Sequence, residues 1–340
     1  MLFDLRPKSS RRDLFNRELE LKFLDDAAGR GDPLILVLGI RRIGKTSILR
    51  SFLENWNGIY IDMRGVVRTA DLYERLSEGL SDSLGRLKRF LKNIRGIRIL
   101  DVEVEVKWRG RDSISFLGLL EELNRRRERI IMILDEVQGL RPPISMEVKS
   151  LIAYAYDNLE NVTVILSGSE IGLLRNFVGI DNSASPLYGR YHLDLMVKRF
   201  PKDLSMEFLR QGFKELNMSV DEGIIENAVN LFDGIVGWLV FFGRSYVDGV
   251  RDLKQISNVA VQMALNELNK LDWKGRMVLK AIAEGENSWS TIRRYVEEKR
   301  GITIPKSSLT RTIRKLEKLS IIENYRFLDP VYREASKRLR

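Results

Sequence analysis

The apolar positions of this 340-residue chain change rhythm twice along its length. Up to about residue 195, short continuous apolar runs alternate with stretches of helical spacing. Leu34–Leu38, Ile59–Met63, Ile130–Leu134 and Val162–Leu166 read as strands, and a fifth falls near Tyr191–Leu195. Leu14, Leu19, Phe23 and Leu24 place a helix before the first strand. Leu72, Leu76, Leu80 and Leu84 predict another over Asp71–Asn93, and two more fit Ser115–Arg127 and Glu147–Leu159. Strands apolar on both faces and alternating with helices predict a parallel sheet covered on both sides. Asp101–Lys107 instead alternates strictly, as a half-exposed strand of an edge hairpin does, its charges keeping that edge soluble.

After Arg199-Phe200-Pro201 the pattern is helical only, to about Asn269. Three short amphipathic helices are then expected, on Met277–Ile282, Ile292–Val296 and Leu309–Leu319, with residues 301–305 as the turn before the third. Ile321–Leu328 reads as a short hairpin, which makes this stretch a helix-turn-helix with a wing. The expected fold is α/β: a P-loop NTPase core with a parallel five-stranded sheet over residues 1–199, a small helical lid over 200–269, and a winged helix-turn-helix over 270–340.

The most specific chemistry lies between the first strand and the helix after it. Gly39-Ile40-Arg41-Arg42-Ile43-Gly44-Lys45-Thr46, followed by Ser47, is a complete G-x-x-x-x-G-K-[ST] loop. Such a loop turns backbone N–H groups and a helix N-terminus toward a polyphosphate. Glycine is expected at 39 and 44 because the chain bends there and the phosphates leave no room for a Cβ. Lys45 is expected to reach the β- and γ-phosphates and Thr46 to ligate Mg²⁺. Of Arg41 and Arg42, one can neutralise phosphate charge or both can face solvent; Arg42, with Ile43, counts among the candidate nucleotide contacts.

Strand 130–134 ends in Asp135-Glu136, at the end of a parallel strand that faces a ligand crevice. Asp135 there can hold Mg²⁺ opposite Thr46, and Glu136 can take a proton from the attacking water or orient it. Strand 162–166, expected beside the two motif strands, ends in Ser167-Gly168-Ser169. Either serine can contact the γ-phosphate, or cap the following helix. Arg190, just before the fifth strand, either stabilises charge developing on the γ-phosphoryl group, within its own subunit or across to a neighbour, or is simply solvated. Asn269-Lys270-Leu271-Asp272 matches a guanine-recognition pattern but follows a helix, so it reads as coincidence. His192 reads as a packed side chain.

Composition narrows the picture. Apolar residues make up 44% and charged residues 31%, which suits a folded protein. With no cysteine and one histidine, disulfides, thiolate catalysis and a Cys/His zinc cluster are excluded. No apolar run approaches membrane-spanning length and no secretory apolar block opens the chain, so a cytoplasmic protein that does not engage a membrane is expected. Scarce glutamine, the missing cysteine and abundant ion-forming residues suggest a thermophile. The net charge is +10, and residues 271–340 carry 17 basic against 9 acidic side chains, a net +8. That concentration suggests a polyanion. On the third helix of the winged region Leu309, Ile313, Leu316 and Leu319 share one face; Ser307, Thr310, Arg311, Arg314, Lys315 and Lys318 share the other. Such a helix can lie in a DNA major groove, or dock on its own core or on a protein with the cations merely solvating it. The basic tail, Arg333, Lys337, Arg338 and Arg340, either adds phosphate contacts or frays.

Together these residues resemble the archaeal ATPase family within the AAA+-related signal-transduction ATPases. The resemblance is carried by Phe3-Asp4 with Pro7-Lys8, by Phe15-Asn16-Arg17-Glu18, by the loop 39–46 with its Arg41-Arg42 pair, and by Leu134-Asp135-Glu136, Ser167-Gly168-Ser169 and Pro186-Leu187-Tyr188-Gly189-Arg190. It implies that the amino-terminal motif, with Phe15, Asn16 and Arg17, lies near the adenine, that Arg190 is a site residue, and that the nucleotide is ATP with Mg²⁺. Asp233–Leu239 aligns with the family's glycine-proline lid signature, with Val236 where proline is usual. The expected function is an ATP-driven switch whose hydrolysis moves lid and winged helix and changes the hold on DNA or a protein. The alternatives are a DNA-binding regulator resembling archaeal origin-recognition proteins, with nucleotide as a slow structural cofactor, and a protein-interaction scaffold. An oligomer is compatible with each.

Overall fold

Alternate side chains of the central strands bury in two different cores. Leu34, Leu36 and Leu38 enter one; Ile35 and Val37 enter the other. The same split divides Met132 and Leu134 from Ile131 and Ile133. A period of two with both phases apolar is what a sheet covered on both faces requires. The computed structural model describes residues 1–100, 103–301 and 303–339. Its strands are β1 (Leu34–Leu38), β2 (Gly58–Asp62), β3 (Ile97–Ile99), β4 (Val104–Val106), β5 (Ile130–Asp135), β6 (Val162–Gly168) and β7 (Leu193–Met196), then β8 (Ile322–Glu323) and β9 (Arg326–Phe327). Five form one sheet in the order β2–β5–β6–β1–β7, every pair parallel. β6 therefore lies between the two motif strands, as expected. One face is covered by helices Glu18–Arg30 and Lys45–Phe52, the other by helices that include Thr69–Asp82, Phe116–Asn124 and Ile144–Asn158.

The helix expected over 71–93 is two, Thr69–Asp82 and Leu84–Leu91, broken at Ser83. The apolar period runs on across the break, which is why it does not show in the spacing. β4 pairs antiparallel with β3 in the expected hairpin, whose Asp101 and Val102 lie outside the described residues, as do Ile302 and Arg340. His192 is mostly buried, with its Nε2 3.3 Å from Asp194.

Beyond the sheet, helices Lys202–Lys214, Glu222–Phe232, Val236–Val247 and Leu253–Leu268 share a third core with Trp273–Ala283, Trp289–Arg300 and Lys306–Lys318 and the wing β8–β9. That core runs without interruption across residue 269. Through Leu339 the tail does not fray. Pro330–Lys337 is a helix, capped by the Asp329 carboxylate (2.8 Å to the Val331 N–H) and burying Val331, Tyr332 and Ala335 against Leu253–Leu268. Asp329-Pro330 is a cap followed by an N1 proline, a local signal that the basic residues around it obscure. Residues 269–272 lead into a helix start, where Asp272 accepts the Gly275 N–H at 2.8 Å, not a strand end beside a base.

The amino-terminal arm joins the two halves. Phe3 is fully buried in the third core, edge-on to Phe213 at 4.9 Å. Farther on, the Lys8 N–H donates to Ser47 Oγ at 3.1 Å, and Arg11 pairs with Asp25 at 2.7 Å. Room for the Phe3 ring comes from Gly212 and Gly243, where a Cβ would lie 2.3 and 2.4 Å from ring carbons. Gly243→Ala is therefore expected to destabilise the helical half by about 1–3 kcal/mol, as overpacking does. The penalty should largely vanish in a Phe3→Ala background, as read by a double-mutant cycle of denaturant unfolding.

Candidate nucleotide site

β1 ends at Leu38, the chain turns through 39–44, and helix Lys45–Phe52 begins at once. Gly44 sits at φ +97, a left-handed conformation, as the residue before the helix. A Cβ on Gly39 would lie 2.9 Å from the Val197 carbonyl oxygen, and one on Gly44 would lie 3.3 Å from Val236. Backbone packing thus demands glycine at 39, and the left-handed turn demands it at 44, as a bend in the chain there leads one to expect. Ile43 is buried in the sheet core, so only its backbone can face a ligand. The loop opens on a cleft of about 540 Å³ bounded by the amino-terminal arm, Phe15, Arg17, Glu136, Ser169 and Val236. Lys45 Nζ donates to the carbonyls of Gly39 (2.7 Å) and Ile40 (3.0 Å). Burial lowers the Lys45 ammonium to about 8, against the opposing pull of Glu136 and Asp135.

At the carboxyl end of β5, Asp135 is buried. Its Oδ2 accepts the Thr46 hydroxyl at 3.0 Å and the Tyr60 hydroxyl at 2.5 Å, and its Oδ1 accepts the Glu136 N–H at 3.1 Å. Burial and the adjacent Asp135 carboxylate hold the Tyr60 phenol protonated. Glu136 adopts φ +58, which a non-glycine residue holds only when its surroundings fix it. Its Oε2 accepts Gln138 Nε2 at 2.6 Å and Ser169 Oγ at 2.9 Å. Ser169 thus reaches the acidic pair. Ser167 Oγ is fully buried with no partner among the described residues. No described cluster of three His, Cys, Asp or Glu side chains could hold a metal alone. Thr46 and Asp135 offer instead a hydroxyl and one carboxylate side by side, the hard oxygen set Mg²⁺ uses when phosphates complete its shell. The residues present therefore fit a magnesium-bound polyphosphate.

Phe15 packs edge-on to Phe200 and Phe208 at 5.7 and 5.4 Å, with a side toward the cleft. Arg17 is buried, with its guanidinium 4.4 Å over Phe200, and it donates to the Ile43 and Lys198 carbonyls at 3.2 and 3.1 Å. It braces the phosphate loop from behind. Asn16 turns the chain at φ +49 between them and does not line the cleft.

Arg41 remains half exposed, as a solvent-facing loop arginine would, while Arg42 is mostly buried; both are nevertheless held by the protein. Both reach Glu267, at 2.8 and 2.7 Å, and Tyr332 donates to the same carboxylate. Arg42 also lies 4.1 Å over Trp238, whose indole N–H donates to Asp329 at 2.8 Å. Burial alone would raise the Glu267 carboxyl, but Tyr332, Arg42 and Arg41 bring it below the ordinary range. One carboxylate from helix Leu253–Leu268 thus joins the phosphate loop to the carboxy-terminal helix. The Gly237 N–H adds a backbone bond to the Arg42 carbonyl at 2.8 Å. Val236, where the family has proline, is the first residue of its helix, a position whose N–H has no helical partner.

Arg190 is not brought to the cleft. It precedes β7, at the edge where the strands begin, and pairs with Asp157 at 2.5 Å. Arg311 and Arg314 are exposed and without acidic partners among the described residues. Lys315 pairs with Asp272 at 3.1 Å. Lys318, although exposed, has its backbone packed on the core: a Cβ on Gly172 would lie 2.6 Å from its Cα. Ser320 Oγ accepts the Ile171 N–H beside it at 2.8 Å. Tyr60, Gln138, Trp238, Glu267 and Tyr332 were not foreseen from the sequence.

A family model described as an ATPase domain predominantly from Archaea matches residues 14–242, and one described as the MCM protein C-terminal winged helix-turn-helix domain matches 274–334. The chain is similar to a Walker-type ATPase of Pyrococcus abyssi at 37% identity and TM-score 0.84, covering 99% of this chain and 100% of that one. It shares its fold with Cdc6p of Pyrobaculum aerophilum at 17% identity and TM-score 0.53, covering 100% and 98%. No curated protein matches. No helix of the described residues is long and apolar enough to cross a membrane.

The Lys45 environment has a consequence for pH. A lysine lowered to about 8 is charged below that value and neutral above it, and phosphate contact restores its charge. Nucleotide affinity should be level below pH 8 and weaken by up to about tenfold per further unit. Calorimetry at pH 9 in buffers of different ionisation heat should register proton uptake on binding.

Proposed function

The chain belongs to the ATPase family found predominantly in Archaea, and from that premise we propose that it is a switch in which ATP hydrolysis moves the lid and winged helix together against the sheet. The observation that carries this reading is the shared Glu267 carboxylate, which takes Arg41 and Arg42 from the phosphate loop and Tyr332 from the last helix. In this reading the loop amides and Lys45 hold the β- and γ-phosphates, and Thr46 with Asp135 holds Mg²⁺, which supplies charge neutralisation. Tyr60 fixes the Asp135 carboxylate in place. Glu136 takes the proton of the water whose oxygen attacks the γ-phosphorus, and the bond to the bridging oxygen breaks with its electron pair leaving on ADP. Ser169 and Gln138 hold the Glu136 carboxylate for that task; Ser169 rather than Ser167 is the serine in contact with it. Phe15 and the arm flank the base, with Arg17 and Ser47 fixing loop and arm from behind. Arg190, engaged at the opposite edge, has no part in the chemistry of its own chain.

A change in phosphate charge beside Arg41 and Arg42 alters how strongly they hold Glu267, and a ligand shifts such an equilibrium by its differential affinity for the two arrangements. The moving parts are residues 200–269 and 270–340 against 1–199, and their common apolar core makes them travel as one body. The partner is duplex DNA, met by the exposed Arg311 and Arg314 on helix Lys306–Lys318, while Lys315 and Lys318 serve the attachment to the protein itself.

Glu136→Gln should lower turnover by at least about 100-fold with nucleotide affinity retained, measured as phosphate release alongside calorimetry. Equal turnover in the variant would overturn the assignment, and nucleotide retained through purification with negligible wild-type turnover would favour a slow structural cofactor. Glu267→Gln should leave basal turnover near wild type but remove the difference between duplex affinities in ATP and in ADP. An undiminished difference would break the proposed linkage.

A further inference from the structure

The net charge of the first 270 residues is small, yet it conceals one strongly cationic face. Residues 83–100 hold six lysines and arginines and no acidic residue. Helix Leu84–Leu91 buries Leu84, Leu87, Phe90 and Leu91, which leaves Arg86, Lys88 and Arg89 on the outside. The fold brings a second cationic segment to this helix. Arg126 donates to the Lys92 carbonyl at 3.2 Å, and Arg89 pairs with Glu128, so residues 125–127 lie against 89–92. Residues 84–92 and 122–129 together hold eight cations against two carboxylates, and Glu122 and Glu128 are taken by Arg125 and Arg89. Lys88, Lys92 and Arg127 are exposed and have no acidic partner among the described residues.

We propose that this face, built from helix Leu84–Leu91 and the turn 125–127, binds the phosphate backbone of duplex DNA as a contact surface separate from the winged helix. Its position sets it apart from the nucleotide chemistry. Residues 125–127 precede β5, so the face lies where the parallel strands begin, whereas the phosphate loop and the docked winged helix lie where they end. Cations there cannot serve the bound nucleotide. The character of the face selects the partner. None of the exposed large apolar side chains falls within 84–92 or 122–129, so the face has nothing to insert into a lipid bilayer and no ring on which unpaired bases could stack. Lysine and arginine without exposed apolar or aromatic neighbours suit sequence-independent contact with phosphates, whose affinity depends on the number of counterions released.

The test is fluorescence anisotropy of the full chain with a labelled duplex of arbitrary sequence across a salt series. Lys88→Glu with Lys92→Glu should weaken binding at least about tenfold at low salt and make the dependence of log affinity on log salt shallower by about 2. Lys88→Gln with Lys92→Gln should fall between that variant and wild type, and ATP turnover without DNA should be unchanged in both. Wild-type affinity and slope in both variants would overturn the proposal, as would a wild-type chain that binds phosphatidylserine vesicles but no duplex. Arg311→Glu with Arg314→Glu separates the two surfaces. Loss in that variant alone leaves the winged-helix reading standing and removes this one; loss in the core variant alone does the reverse.

Discussion

Glu267 is the constraint on which the arrangement of the molecule depends. A single carboxylate, less than a third exposed, accepts two guanidinium groups from the phosphate loop and a phenol from the last helix. Taking one partner from such a group leaves the others desolvated and unmatched, so it responds as a unit rather than as a sum of pairs. The flanking contacts repeat the pattern. Trp238 lies under Arg42 on one side and donates to Asp329 on the other, so the lid helix Val236–Val247 touches both the loop and the cap of the last helix. Two side chains at most therefore separate the phosphate loop from the carboxy-terminal helix.

This explains why lid and winged helix share an apolar core. Two separately packed units would each need their own polar connection to the loop. Packed together they need one, and the helix Pro330–Lys337 supplies it by lying against Leu253–Leu268. The sheet is built differently: alternate residues of β1, β5 and β6 divide between two cores, and the candidate site residues project from the strand ends that those cores hold. The acidic pair is further fixed by neighbours on other strands, Tyr60 from β2 and Ser169 after β6.

What was legible in the sequence was what is local. The phosphate loop is spelled in consecutive residues because one turn makes it, and Asp135-Glu136 stands out because a wholly apolar strand precedes it. The five strands and the winged helix follow from periodicity. Two local signals were masked: the break at Ser83 lies inside an unbroken apolar period, and the Asp329 cap lies among basic residues that read as a loose tail. The rest was not readable because nothing in the pattern marks it. Glu267 lies 225 positions from Arg42, on a helix whose polar residues look like any solvated face. Gln138 sits two residues past Glu136, but only the turn at Val137–Gly139 brings its amide to that carboxylate. Arg190 is the converse: its neighbours in sequence suggest the site, and the strand direction puts it at the other edge.

The bond from the Gly237 N–H to the Arg42 carbonyl is made by main-chain atoms. It uses no atom of either arginine side chain, the tryptophan ring or the glutamate, so part of the contact between the two halves does not depend on those side chains. Proline at 237 would delete it for want of the hydrogen, and any other side chain there would strain it, because a Cβ would lie 2.7 Å from Arg42 Cβ and 3.0 Å from the accepting oxygen. Sequence drift can thus retune the contact through the carboxylate and its partners, while this amide persists for as long as position 237 stays glycine.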